Sequence, residues 1–318
     1  MQRDTATHFT APHAFDDLVE RCRPLGVLPV AVAAPVSDVA FLGAISAARE
    51  KLIEPILVGP EQELRSLADR LDVDLAHFAL VGATDDADAA RKSVSLCRSG
   101  KARALMKGSL HTDTLMHAVL ERDIGLKTYR RLSHVFVVDV PAYPRLLLIT
   151  DAAINIYPTL DEKIDIVRNA IDLAHTLGTD LPKVAILSAV ETVTPKIHST
   201  IDAAALCKMA DRKQITGAIL DGPMAFDTAV SAPAAAIKGL TSPVAGAADV
   251  LVVPDLESGN MLAKQLEYLG GAELAGIVLG GQVPIILTSR SDRPRARLAS
   301  CALAVCFVHA HAAQSMSE

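Results

Sequence analysis

Apolar residues along the chain fall into short, nearly unbroken runs, separated by longer stretches in which they recur every three or four positions. The run "LPVAVAAP" (28–35) predicts a buried strand, and Ser37 or Asp38 the N-cap of a helix over "VAFLGAISAAREKL". "EPILVGP" (54–60) predicts the next strand, ended by Gly-Pro, and "EQELRSLADRL" the next helix. "ARALMKG" (102–108) predicts a strand closing on Gly108, with a helix from about Thr112. "HVFVVDVP" and "RLLLITDAAIN" predict an antiparallel pair across the turn Ala142-Tyr143-Pro144. The runs "KVAILSAV", "ITGAILDGP", "ADVLVVPD", "AGIVLGG" and "VPIILTS" predict further strands, spaced by helical patterns such as "MLAKQLEYL". Strands alternating with helices imply parallel βαβ units and an α/β architecture. The chain shows no internal repeat and no low-complexity linker, so a second lobe must be woven into it.

Length and composition sharpen this picture. At 318 residues the chain suits two lobes and buries about 75% of its unfolded surface. A hydrophobic content of 50% with only 3% aromatic fits helices packed on a buried sheet. A net charge of −6 argues against a nucleic-acid or anionic-membrane partner. The first residues, "MQRDTATHFTAPHAFDDL", lack the apolar core of a signal peptide. The longest apolar stretch, Leu298 to Ala313, carries Ser300, His309 and His311 and falls short of an uninterrupted span. Five scattered cysteines without a Cys-x-x-Cys read as reduced thiols in the cytoplasm.

Candidate chemistry gathers where predicted strands end: Lys107-Gly108-Ser109, Asp151, Asp221-Gly222-Pro223, Pro254-Asp255, Gly280-Gly281 and Thr288-Ser289-Arg290. Ligands of open α/β sheets bind at carboxyl ends of strands. Glycine admits a ligand to the backbone, and hydroxyls and helix-start amides receive anions. At any one position such residues serve equally as helix caps, the expected role of Asp221 and Asp255. "PIILTSRSDRPRARLAS" (284–300) is different, because four arginines (Arg290, Arg293, Arg295, Arg297) fall within eight residues of an acidic chain. Arginine forks hold phosphate bidentately, and a cap does not need them.

Six blocks in order, "LMKGSLHTDTLM", "RRLSHVFVVDVP", "ITDAAINIYP", "ILDGPMAFDTAVS", "ADVLVVPDLESGNMLAKQL" and "IILTSRSD", resemble the phosphate acetyltransferase and phosphate butyryltransferase family. The resemblance covers residues 28 to 305 or so. It implies a fold like that of isocitrate and isopropylmalate dehydrogenases: two α/β lobes of mostly parallel sheets flanked by helices, in a homodimer. Residues 1–140 and 280–318 would form the first lobe and residues 141–279 an inserted second lobe. The implied activity is acyl transfer between coenzyme A and inorganic phosphate, by thiolate attack on the acyl phosphate. Its partners are small-molecule substrates, and it uses no metal and no cofactor.

By the same resemblance Ser289 and Arg290 contact the phosphate and polarise the reacting carbonyl. Lys107, Gly108, Thr112, Arg130, Arg131, Ser133 and Asn155 carry over as substrate-binding positions, Lys107 as a point charge. Family members often carry an acid seven residues after the serine, as base for the thiol; here that position is Ala296. Asp292 stands nearby, either as a substitute base or as N-cap of the last helix. Tyr129 replaces a common glycine, and Ala152 a cysteine of some relatives. Arg293, Arg295 and Arg297 fit either a solvated helix face or the adenosine phosphates of coenzyme A.

Two rivals share this fold. A metal-dependent dehydrogenase would hold Mg or Mn with acids one helical turn apart, as Asp161 and Asp165 are, although the helix dipole alone places acids in a first turn. A non-catalytic coenzyme-A- or nucleotide-binding protein is the other. Cys301, Cys306, His309 and His311 have zinc-binding side chains but sit on an apolar helix pattern, which reads as core and tail. Acyl chain length, reaction direction and the identity of the base stay open at this level.

Overall fold

The computed structural model describes residues 14–288 and 293–315. They divide into two compact units, a discontinuous one of Phe15–Arg131 with Ala275–Glu318 and an inserted one of Leu132–Leu274.

The discontinuous unit opens with α1 (Ala14–Cys22), β1 (Leu28–Ala33), α2 (Asp38–Arg49), β2 (Ile53–Gly59) and α3 (Glu61–Arg70). It continues with β3 (Ala79–Gly82), α4 (Asp86–Arg98), β4 (Ala104–Lys107) and α5 (Thr112–Leu120). The inserted unit holds β5 (Ser133–Asp139), β6 (Leu147–Thr150), α6 (Leu160–Thr176), β7 (Lys183–Leu187) and α7 (His198–Asp211). It ends with β8 (Ile219–Met224), α8 (Phe226–Val230), α9 (Ala232–Ile237), β9 (Val250–Val252) and α10 (Leu256–Tyr268). The chain then returns through β10 (Glu273–Leu279), β11 (Ile285–Ile286) and α11 (Pro294–Ser315).

In the discontinuous unit the strand order is β3-β2-β1-β4-β11-β10. All neighbours whose register is defined there are parallel except β10 and β11. The chain moves outward from β1 through β2 to β3, then returns to place β4 on the other side of β1. That reversal puts a topological switch point between β1 and β4, where such sheets bind ligands. The inserted unit orders its strands β5-β6-β9-β7-β8, with β5 and β6 antiparallel and the rest parallel. Its core joins Val138, Ile149, Leu251 and Met224 from the strands to Ala229 and Ala263 from the helices.

Local chemistry explains most element ends. Ser37, Asp85 and Asp255 each accept a backbone N–H in the first turn of α2, α4 and α10. Such caps contribute about 1 kcal/mol each. Thr159 and Glu162 form a reciprocal capping box at α6, which puts Asp161 in a helix first turn; Asp165 pairs with Arg168 at 3.4 Å.

Several expectations need correction. The strand expected over "RLLLITDAAIN" stops at Thr150, because the Asp151 carboxylate accepts amides from Ala153, Ile154 and Asn155 and turns the chain. β3 and α4 carry weak signals and were not foreseen. Asp221 caps no helix: it lies inside β8 and accepts the N–H of Gly222 at 2.8 Å. "VPIILTS" yields only the two residues of β11. Helix α11 is long and apolar enough over Pro294–Ala313 to cross a bilayer, yet 61% of that stretch is buried inside the protein. It serves as a core helix. The buried Ser300 hydroxyl accepts the N–H of Gly276 at 3.0 Å, fastening α11 to β10.

Candidate functional site

The switch point brings five elements together: β1, β4, β11 and the starts of α2 and α5. β1 and β4 pair from Val30↔Ala104 to Ala33↔Lys107. Beyond the last pair, Gly108 N–H donates to Ala33 O at 2.9 Å and Ser109 N–H to Ala34 O at 2.8 Å. A Cβ on Gly108 would stand 2.2 Å from Ala33 O and 2.5 Å from Ala34 O. Only glycine fits. Ser109 Oγ accepts from Ser37 N–H and donates to Ser37 Oγ, both at 2.9 Å, so the exit of β4 is locked to the start of α2. Lys107 is 7% exposed, and its ammonium donates to Gly108 O at 3.3 Å. Buried stem and fixed head make it a placed charge. Thr112 opens α5 on the same side. β11 runs parallel to β4 with Ile286 opposite Met106, so the chain leaves β11 toward this same edge. Thr288 is buried there; Ser289, Arg290 and Asp292 lie outside the described residues.

Arg130 and Arg131 sit elsewhere in this unit. Their loop is tied to the β10–β11 turn, at the amino ends of β4 and β11. Lys127 bridges Gly281, Thr128 Oγ1 donates to Gly280 O at 2.6 Å, and Arg130 N–H donates to Thr128 Oγ1 at 3.0 Å. Leu105 N–H donates to Pro284 O, which fixes this turn at the start of β4. The backbone anchors of the two groups therefore stand at opposite ends of the same strands.

Ser133 and Asn155, in the inserted unit, are interior. Ser133 is fully buried and its hydroxyl accepts from Asn169 Nδ2 at 2.8 Å. Asn155, 3% exposed, donates to Leu132 O at 2.8 Å and to Asp151 Oδ2 at 2.6 Å. Burial pushes the Asp151 carboxyl up, while its ring of donors pulls the other way. His134 beside it is 1% exposed, its Nδ1 lacks a hydrogen-bond partner, and burial drives its pKa down to about 3. This anchoring cluster was only half visible in sequence. In sequence Asp151 reads as a strand end and Asn155 as a substrate-binding position, and nothing pointed to the turn or to its carbonyl target at Leu132.

The remaining arginines divide. Arg295 makes a two-pronged ion pair with Asp16 at 2.8 and 2.9 Å, joining α11 to α1. Arg297 is 5% exposed and lies against Gly43 of α2, where a Cβ would come within 3.3 Å of its Cδ. Both side chains therefore help to seat α11, and the burial of Arg297 corrects the solvated-face alternative for that residue. Arg293 is exposed. Ala296, at the position of the usual acid, is buried. Burial holds the thiols of Cys97, Cys207 and Cys301 up at about 12, so these supply no thiolate at neutral pH. Among the described residues no group of three or more His, Cys, Asp or Glu is placed to hold a metal ion.

Glycine, hydroxyls and a fixed cation at the switch point of a parallel sheet make this strand end the candidate ligand site of an α/β protein. Residues 83–305 match the family described as Phosphate acetyl/butaryl transferase. The chain is 55% identical over 296 residues to a phosphate acetyltransferase of Rhizobium meliloti, covering 93% of this chain and 94% of that protein. It is 40% identical over 291 residues to a phosphate butyryltransferase of Clostridium acetobutylicum, covering 92% and 97%. The fold is similar to a branched-chain phosphotransacylase from Enterococcus faecalis, with TM-score 0.79 and 34% identity over 89% of this chain and 99% of that one. The chain belongs to the phosphate acetyl/butyryl transferase family, and it is a transferase of that type.

Proposed function

We propose that this protein moves an acetyl or butyryl group between coenzyme A and inorganic phosphate by direct attack of the coenzyme A thiolate on the acyl phosphate. The observation that carries the reading is the 55% identity to a phosphate acetyltransferase through nearly the whole chain. The placed Lys107 charge beside the Gly108 turn supports it. In the forward step the thiolate sulfur bonds to the acyl carbon as the carbon–oxygen bond to phosphate breaks. The phosphate leaves with the electron pair. Arg290 holds phosphate oxygens as a fork and balances the charge growing on the carbonyl oxygen, with Ser289 donating beside it. Lys107 adds a point charge at the same edge, Gly108 admits the ligand to the backbone, and Thr112 adds a hydroxyl.

Arg130 and Arg131 hold the phosphate-bearing substrate. Ser133 and Asn155 act from the interior, fixing the chain on either side of Leu132. A thiol of pKa ~8.5 is only a few per cent ionised at neutral pH, so the cationic field assists its ionisation. The proton passes to phosphate, to water or to Asp292. The reaction needs no metal or prosthetic group, and the protein works in the cytoplasm as a homodimer.

The test is thiol release from acetyl-, propionyl- and butyryl-CoA. Release should require phosphate or arsenate and ignore chelator. Phosphate-independent hydrolysis, or hydride transfer to a nicotinamide without acyl transfer, would overturn the reading.

A further inference from the structure

The chain is poor in aromatics, with no Trp and only four tyrosines. Three of these are engaged. The Tyr143 hydroxyl donates to Ala248 O, Tyr157 meets Glu257, and Tyr268 lies under the Lys264 ammonium. Tyr129 is 93% exposed. It is presented on a backbone held on both sides. Gln282 N–H donates to Leu126 O at 2.9 Å, Lys127 bridges Gly281, and Thr128 is bonded to both Gly280 and Arg130. Three cations, Lys127, Arg130 and Arg131, stand within two residues of it in a chain of net charge −6.

An exposed aromatic ring on a restrained loop, with three cations within two residues of it along the chain, matches one ligand chemistry closely. A purine stacks on the ring while neighbouring phosphates meet the cations. The fixed loop also lowers the ordering cost of binding.

We infer that Tyr129 is the stacking platform for the adenine of coenzyme A, with Lys127, Arg130 and Arg131 meeting its phosphates. This rests on coenzyme A being the substrate, as proposed above. Tyr129 is then a binding residue for one substrate only. Acyl phosphate carries no adenine and gains nothing from the ring.

The experiment compares wild type, Tyr129→Ala and Tyr129→Phe with acetyl-CoA, with S-acetylpantetheine, and with adenosine 3′,5′-bisphosphate as competitive inhibitor. Tyr129→Ala should raise the KM for acetyl-CoA and the Ki of the bisphosphate about tenfold, with kcat within about twofold. That factor corresponds to about 1.4 kcal/mol, within the usual range for one base on one aromatic ring. Tyr129→Phe should behave as wild type, and S-acetylpantetheine, which lacks the adenosine, should not distinguish the variants. The inference is overturned if Tyr129→Ala leaves both constants unchanged, if S-acetylpantetheine suffers equally, or if wild type does not bind the bisphosphate. It is equally overturned if Tyr129→Ala changes the elution volume in gel filtration, because the ring would then cover a second copy of the chain. Failure of wild type to use acetyl-CoA at all would instead remove the proposed activity, and wild type alone shows it.

Discussion

Gly108→Ala adds one methyl group at the crossing of β1 and β4, and the structure sets the cost. The new Cβ would lie 2.2 Å from Ala33 O and 2.5 Å from Ala34 O, where real Cβ atoms essentially never approach below 3.0 Å. Both neighbours are backbone, so no side chain can swing away. The strand exit must move, and Gly108 N–H→Ala33 O and Ser109 N–H→Ala34 O weaken together. Two hydrogen bonds at about 0.5–1.5 kcal/mol each, plus about 1–3 kcal/mol of overpacking strain, give about 2–6 kcal/mol. At an unfolding entropy of about 2.1 cal/mol/K per residue, that corresponds to a drop in Tm of about 3–9 °C for a chain of this length. Gly82→Ala is the control. It also ends a strand, β3, but its Cβ would meet nothing nearer than Glu61 Oε2 at 3.9 Å. Thermal unfolding by circular dichroism reads the stability, and the KM for acetyl phosphate reads the displacement of Lys107 and Ser109. If Gly108→Ala melts with wild type and keeps its KM, the close approach at the switch point is not what sets this edge of the sheet.

Arg290→Ala should stay folded and lose about a hundredfold to a thousandfold in turnover, more than it raises KM, with lysine rescuing poorly. Asp292→Asn should retain most activity if Asp292 caps α11, and lose it if Asp292 is the base; steady-state kinetics decides. His134 predicts the acid limb of stability. Its pKa is about 3 folded against 6.5 in the free side chain, so the unfolded chain binds the extra proton between those values. Its contribution is complete above pH ~6.5 and falls by up to about 1.4 kcal/mol per pH unit as pH drops toward ~3. Asp151, pushed up by burial, has the opposite sign, so the informative quantity is the difference between His134→Leu and wild type. Denaturant titrations from pH 7 to pH 4 should show the shallower decline in the variant; parallel curves would refute it.

Sequence and structure agree where a single local rule decides. Ser37 caps α2, Asp255 caps α10, β4 closes on Gly108 and α5 starts at Thr112. They part where distant chemistry decides. The arginines of α11 looked alike in sequence, yet Asp16, 279 residues away, claims Arg295, and the absent side chain of Gly43 makes room for Arg297. The resemblance assigns Ser133 to substrate binding, whereas Asn169, from a helix 36 residues on, holds its hydroxyl in the interior. The β10–β11 pair runs antiparallel inside a parallel sheet because the five residues between Leu279 and Ile285 leave no room for a crossover helix. Strand ends and caps are encoded locally, whereas partners across the fold are not.

The central claim is that the acyl group passes directly from phosphate to sulfur without resting on the protein. The measurement that tests it most directly is the initial-velocity pattern with coenzyme A and acetyl phosphate both varied. Direct transfer requires both substrates bound together, so double-reciprocal lines should intersect, and no coenzyme-A-independent exchange of labelled phosphate into acetyl phosphate should occur. Parallel lines accompanied by that exchange would mean an acyl-enzyme intermediate, and would contradict the account.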